Sequence, residues 1–415
     1  MSYERIEKSI EEMMKKSKDV TYRTDEKRFT RERKLTSTDI VWYLTMQKGK
    51  STSVELEEYL KNKNGNYQME VTKQAFSEQR QYLKPELFID LNRDYLRSFY
   101  QEKKEVKTYK GYRVFAVDGS MFELPNTKKL REEYKAQVNS SKHRISARAR
   151  VSVLYDVENH FVTDALIKDC EVSEIKMAYE NIENVEKAVG LERSIILFDR
   201  GYPSIELLIW LEMRNIKYIC RLQSTTYKKE REAMLSDDEW IELKLHSDRL
   251  RKASREDVIK RAKEMKTLKV RMSQVLLPTG EIEYLISNME KEIISEKEMK
   301  EAYYKRWQVE IGYDILKNKL QVENFTGRTQ ITIEQDFHAQ IYVFNLLQDI
   351  KADANRKVKE DSKRKELKYE YQTNLNTLAG YLKNILVGIM FIEDEEEKRE
   401  LYDIIIRKAK KIWCP

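Results

Sequence analysis

From residue 112 the apolar residues stop recurring at helical spacing and come in short runs broken by single helices. This restricts the chain more than any other feature. The first run, Tyr-Arg-Val-Phe-Ala-Val at 112–117, stops at Asp118-Gly119-Ser120. Runs at 151–155 and 161–167 follow, joined by a turn at Glu158 and Asn159, and make a three-strand meander. A helix comes next, with Ile175, Ala178, Tyr179, Ile182, Val185 and Val189 on one face. The run Ile-Ile-Leu-Phe at 195–198 then stops at Asp199. A helix from Pro203 to about Asn215 and a fifth strand at 218–222 complete the series. Pro203 suits the first helical turn, where its missing N–H costs nothing. The pattern predicts a mixed sheet with helices on its faces.

This order of elements, three strands, helix, strand, helix, strand, is that of a ribonuclease-H-like α/β core, expected over 111–223 and 291–350. Between the two parts, 224–290 contains three further strand-like runs at 240–245, 268–277 and 283–287, and reads as a β-rich insertion subdomain. Residues 1–110 read as a helical N-terminal DNA-binding domain. Within it, segments 53–60 and 72–80 form a helix pair joined around Asn62 to Asn66, compatible with a helix-turn-helix reader of DNA or with plain helical packing. The chain is helical again from Glu296, with a loop near 325–330, a Lys-rich stretch at 351–368 and a helical C-terminal region over 351–415.

Eleven glycines and five prolines in 415 residues leave little material for Gly-rich phosphate loops, so nucleotide cradles of the P-loop or Rossmann kind are excluded. Cys170, Cys220 and Cys414 lie far apart without Cys-x-x-Cys spacing, and His143, His160, His246 and His338 show no metal spacing. The N-terminus has no apolar signal region, and the most apolar stretch, 378–392, is interrupted by Lys383 and Asn384. A reduced, soluble, cytoplasmic protein with no membrane partner is expected.

Asp118 and Asp199 each end a short buried run. A rigid sheet fixes a side chain there while the adjoining loop leaves it open to substrate. Ordinary turn chemistry explains either residue taken alone. A third acid lies on a helix: at about 100° per residue, Arg306, Glu310 and Lys317 fall near about 300°, 340° and 320° from Tyr303, on one polar face. An exposed salt-bridged helix would read the same way.

At these residues the chain resembles the insertion sequence four family of bacterial DDE transposases. Tyr303-x2-Arg306-x3-Glu310-x6-Lys317 is similar to the family's Tyr-Arg-Glu-Lys signature, and Asp118-Gly119-Ser120 and Asp199-Arg200-Gly201-Tyr202 resemble its first two acidic motifs. The resemblance covers roughly residues 110 to 345, and 71–77 is similar to the family's N-terminal helical region. It implies that Asp118, Asp199 and Glu310 are catalytic and hold two Mg²⁺ ions, with Mn²⁺ able to substitute; such ions prefer carboxylate oxygens. Asp118 would bridge the pair. Water would first cut at the element's end, and the freed 3′-hydroxyl would then attack target DNA. It further implies that Tyr303, Arg306 and Lys317 contact phosphates, and that the partners are double-stranded DNA, as terminal inverted repeats and target, and a second copy of the chain in a synaptic homodimer. Arg200 and Tyr202 touch the DNA backbone or pack at a helix entrance. Trp240 either stacks on an extruded base or sits in a core. A nuclease without strand transfer and a domesticated DNA-binding protein are the alternatives, and the presence of all three acids argues against the latter.

The net charge of +7 hides unevenness. Residues 249–271 hold ten Lys or Arg against three acids, and 101–150 hold 13 against six, with Arg148 and Arg150 on one strand face. Both blocks are expected to meet phosphates, with a contribution that falls steeply with salt.

Overall fold

A computed structural model describes residues 2–31, 33–64, 71–135, 137–139, 144–277, 280–364, 372–375, 378–382, 386, 392, 394–410 and 413–414. Its centre is one eight-stranded sheet. The strands are β1 (Arg113–Glu123), β2 (Arg148–Asp156), β3 (Phe161–Lys168), β4 (Ser194–Phe198), β5 (Lys217–Arg221), β6 (Asp238–Lys244), β7 (Thr267–Leu276) and β8 (Ile282–Ser287). They lie in the order β3-β2-β1-β4-β5-β8-β7-β6. β1 to β3 form the antiparallel meander, while β1, β4 and β5 run parallel. This is the ribonuclease-H-like arrangement expected from the sequence.

The parallel connections are made by α6 (Glu174–Val189) and α7 (Ile205–Met213). Alternation along the central strands sends Phe115, Val117, Ile196 and Phe198 against these helices, into a core with Ala178, Ile182, Leu207 and Trp210. Val114, Ala116, Ile195 and Leu197 face the opposite core. Pro203 lies before the N-cap of α7, Ser204, rather than in the first turn: the Ser204 side chain accepts the Leu207 amide and starts the helix later than expected.

The strands of 224–290 do not form a subdomain with a sheet of its own. β8 pairs antiparallel with β5, Leu285 opposite Arg221, and β7 and β6 continue outward from it. An open β5 edge would leave a row of unpaired backbone groups, and the insertion covers it. Trp240 is half-buried on β6, the outermost strand, with the Lys269 ammonium 5.2 Å from its ring centre. Neither a core position nor the neighbourhood of Asp199 fits it, since strand spacing puts β6 about 19 Å from β4.

The N-terminal region forms α1 (Ser2–Lys18), α2 (Ser37–Met46), α3 (Thr52–Asn64), α4 (Lys73–Arg80) and α5 (Glu86–Gln101). A Thr36–Asp39 capping box starts α2, and Thr72 caps α4. Of the expected junction between the helix pair, Gly65 and Asn66 lie outside the described residues. Helices α8 (Glu256–Met265), α9 (Glu296–Tyr304), α10 (Trp307–Asp314), α11 (Gln330–Arg364) and α12 (Glu395–Lys410) follow in the chain. No boundary falls at 110 or at 350. Ile6, Trp42, Phe76 and Leu96 share one core with Phe337, Tyr342 and Leu347 of α11, and α11 runs unbroken through residue 350. Arg80 locks the two regions together: it bonds Asp336 at 2.6 Å, Gln335 at 2.8 Å and the Thr332 carbonyl at 2.9 Å, all on α11. Among the described residues no helix is long and apolar enough to cross a membrane.

Candidate active site

Asp118 lies inside β1, not at its end. β1 is paired with β4 only as far as Ala116, whereas its pairing with β2 continues to Glu123. The first acid therefore stands just past the last parallel pair, in a strand still held from one side, and turn chemistry does not account for it. Asp199 follows Phe198 directly, and the Tyr202 amide closes a turn onto the Asp199 carbonyl at 3.1 Å. Adjacent parallel strands thus deliver both acids to the same sheet edge.

The third acid arrives on a broken helix. Helix α9 ends at Tyr304, a turn passes through Lys305 and Arg306, α10 carries Glu310, and a wide π-helical turn spans Ile315–Lys319. A uniform advance of 100° per residue fails here. Tyr303, Arg306 and Glu310 still converge, while Lys317 is turned onto β1, where its ammonium donates to the Met121 carbonyl at 2.8 Å and lies 4.6 Å from the Phe122 ring centre. Tyr303 donates to Asp199 Oδ1 at 3.3 Å, and Arg306 Nη2 donates to Glu310 Oε1 at 2.9 Å.

Electrostatics ties the acids together. Burial pushes the Asp118 carboxyl up to about 6, and the charges of Glu310 and Asp199 add to the rise, against the opposing effects of Arg306 and the Gly119 amide. Arg306 is only 4% exposed. Burial works against its charge, but Tyr303, Asp199, Glu310 and Asp118 together raise its pKa. One guanidinium is the countercharge of three acids. Burial, then Asp199, keep the Tyr303 phenol above its ordinary pKa, so it remains a donor.

Residues 109–346 match the family model described as Transposase DDE domain. The chain belongs to the DDE-domain transposases. A solved structure titled as the piggyBac transposase synaptic complex with hairpin DNA is similar to it at 12% identity and a TM-score of 0.46, covering 95% of this chain and 84% of that one. No curated protein sequence matches the chain.

The other residues singled out in this transposase chain are placed less uniformly. Arg148 pairs with Glu123 at 2.5 Å, far along β1 from Asp118. Arg150 pairs with Glu174 at 2.5 Å. Arg200 is exposed at a cleft of about 650 Å³ that Arg221, Arg231 and Tyr284 also line. Tyr202 does not face outward: its ring is buried 5.9 Å from that of Phe198. The basic block at 249–271 is partly internal, because Arg271 is fully buried on Asp238, at 2.7 and 2.9 Å, and on the Ile294 carbonyl at 2.6 Å.

Two contributors have little sequence signal. Tyr313, three residues after Glu310 and so on its side of α10, donates to the Asp118 backbone carbonyl at 2.9 Å. Glu174, in the first turn of α6, occupies the space beside Gly119, where a Cβ would come within 2.9 Å of its Cγ and Cδ. A Glu after the N-cap Ser173 is legible as helix capping, but its meeting with Gly119 is not.

Proposed function

We propose that the chain is a cut-and-paste DNA transposase of the insertion sequence four type, cleaving at terminal inverted repeats and joining the freed 3′-ends to target DNA. The convergence of Asp118, Asp199 and Glu310 on one edge, with Arg306 among them, carries this reading. The donor set suits a hard divalent cation: all ligands are carboxylates, and a bound cation would offset what disfavours the Asp118 charge, its burial first and the charges of Glu310 and Asp199 after it. Among the described residues no three His, Cys, Asp or Glu side chains are grouped closely enough to hold an ion, and Glu310 is engaged by Arg306. Asp118, Asp199 and Glu310 would hold Mg²⁺, or Mn²⁺ in its place; bound, the ions would supply Lewis-acid stabilisation of the phosphate charge and a more acidic attacking water.

The chain's own residues orient the DNA. Tyr303 and Arg306, both buried and both hydrogen-bonded to the acids, offer donors to phosphate oxygens at the same edge. Lys317, Arg200, Arg150 and Arg148 would meet further phosphates along the DNA. The protein works as a homodimer bridging two element ends, in the bacterial cytoplasm on nucleoid DNA.

The test uses DNA carrying the inverted repeats that flank the gene. Wild type should nick these ends with Mg²⁺ and join pre-cleaved ends to a target plasmid, and Glu310→Gln should do neither. Equal behaviour of the two proteins would sink the enzymatic reading. Nicking without joined product would mark a nuclease instead.

A further inference from the structure

The second helix of the N-terminal pair carries a surface that the acidic edge does not use. Helix α4 turns Phe76 and Arg80 inward and leaves Thr72, Lys73 and Gln74 exposed. Between its first turn and the loop at 326–329 lies a cleft of about 480 Å³, lined by Lys73, Arg80 and Arg328 and by no acid. The chain as a whole has 78 basic residues against 71 acidic ones, so this lining departs from the average. Asp336 answers the charge of Arg80. Lys73 and the exposed Arg328 pair with no acid among the described residues.

The loop beneath these cations is held firmly. Arg80 Nη1 donates to Thr326 Oγ1 at 2.8 Å, and the Thr326 and Gly327 amides each donate to Asp336 at 2.8 Å. The Arg328 and Thr329 amides donate to Thr332 Oγ1 at 3.1 and 3.0 Å. A Cβ at Gly327 would lie 2.5 Å from Thr332 Oγ1, so glycine is what lets the loop sit this close to α11. These bonds occupy the amides before α11, so an anion in the cleft would be held by side chains and not by the helix end. Thr72 accepts the Ala75 amide at 3.1 Å and keeps its own hydroxyl hydrogen to donate. Two unpaired cations on separate elements, with a hydroxyl donor and no carboxylate beside them, suit the phosphates of a nucleic-acid strand.

The cleft is also within reach of DNA seated at the acids. Glu123 stands five residues beyond Asp118 on β1, about 17 Å along the strand, and its amide donates at 2.9 Å to Glu323, which precedes the loop. A duplex covers that distance in less than one helical turn of about 34 Å. We propose that Lys73 and Arg328 bind backbone phosphates of the DNA on which the acids act, a contact that joins the N-terminal helices to the catalytic core across this cleft. This rests on the reading of the chain as a DNA transposase.

The experiment measures binding of the full chain to an inverted-repeat duplex and to an unrelated duplex of equal length, over a range of salt concentrations, with a thermal melt of each variant. Lys73→Gln and Arg328→Gln should each bind several-fold more weakly and make the slope of log affinity against log salt shallower by about one, and the double variant by about two. Melting temperatures should match wild type, because both side chains are exposed and unpaired. Lys187→Gln, an exposed lysine near the end of α6 that leads into the start of β4, should leave the slope unchanged. A loss confined to the inverted repeat would assign the contact to the element's end, and a loss on both duplexes would assign it to any DNA, target included. Slopes equal to wild type in Lys73→Gln and Arg328→Gln would overturn the inference, and so would an equal change in Lys187→Gln, which would mark an effect of net charge alone. Wild type that binds the duplex without cutting it would sink the cleavage reading and leave this contact standing, whereas wild type that binds neither duplex would sink both.

Discussion

The Tyr313 hydroxyl donates to the backbone carbonyl of Asp118 at 2.9 Å, so the helix that carries the third acid is bonded to the strand residue that carries the first. Side-chain rotation of Asp118 leaves this link intact, because it runs through the backbone. Tyr313→Phe should keep the ring in place and lose only this bond, lowering unfolding free energy by about 1 kcal/mol in urea titrations. Its cleavage rate should fall further than that loss explains, because the spacing of Glu310 from Asp118 is no longer fixed. Activity equal to wild type would show that packing alone sets the spacing.

Gly312 lets the same helix approach. A Cβ at this position would lie 2.9 Å from Tyr155 Cε2, in a ring that is buried to 1% exposure and packed on Phe344. The ring has no free end to swing away, so Gly312→Ala must push α10 off the sheet, at a cost of about 1–3 kcal/mol. Cleavage should drop with it. Pairing the change with Tyr155→Leu, which opens the space, should restore part of both the melting temperature and the rate.

These contacts show what the sequence made legible. The meander and the two crossovers were readable because each is local: alternation within a strand and spacing within a helix suffice. Asp118 was found but misplaced at a strand end, because β1 loses one neighbour at Ala116 and keeps the other to Glu123, and a single run of residues does not encode where each neighbour stops. The polar face from Tyr303 to Lys317 is readable as spacing, whereas the break at Lys305 and the π-helical turn after Asp314, where Lys317 meets the Met121 carbonyl of β1, are not encoded in that spacing. The insertion looked separate because the β5–β8 pairing joins residues distant in the chain. Tyr202, read as either a surface or a packing residue, is buried because its turn folds it onto Phe198.

Arg80 illustrates the same limit, since its partner Asp336 lies 256 positions away. Both side chains are 2% exposed. Arg80→Met should therefore leave the buried Asp336 carboxylate without its guanidinium, held only by neutral donors such as the Thr326 and Gly327 amides, and cost about 3 kcal/mol. Adding Asp336→Leu should recover only part of that loss in chemical denaturation, because it removes the unpaired charge but leaves the Thr326 and Gly327 amides, each donating to Asp336 at 2.8 Å, without an acceptor. A small effect of Arg80→Met alone would mean that the N-terminal helices are not locked to α11 through this pair.

Acidity gives a second handle on the site. The Asp118 carboxyl moves from an ordinary 3.8 to about 6 on folding, so its contribution to stability is fully present below about 3.8 and is lost as pH rises through about 6. Asp118→Asn has no such loss. The variant's melting temperature relative to wild type should therefore climb between pH 4 and pH 7, while its cleavage activity is abolished at every pH. A difference independent of pH would mean that Asp118 is ionised throughout.

Arg306 holds the balance among the acids, because it bonds Glu310 and is the largest charge opposing the rise at Asp118. Arg306→Gln leaves the three carboxylates without that countercharge. Two outcomes follow from one substitution. Affinity for inverted-repeat DNA should weaken, with the slope of log affinity against log salt reduced by about one, as for a lost phosphate contact. In the DNA-free protein, calorimetric titration with Mn²⁺ should show tighter binding, because Glu310 is released and the local negative charge is no longer offset. Weaker Mn²⁺ binding would instead mean that the guanidinium serves the acids by ordering Glu310, so that its charge matters less than the hydrogen bond at 2.9 Å.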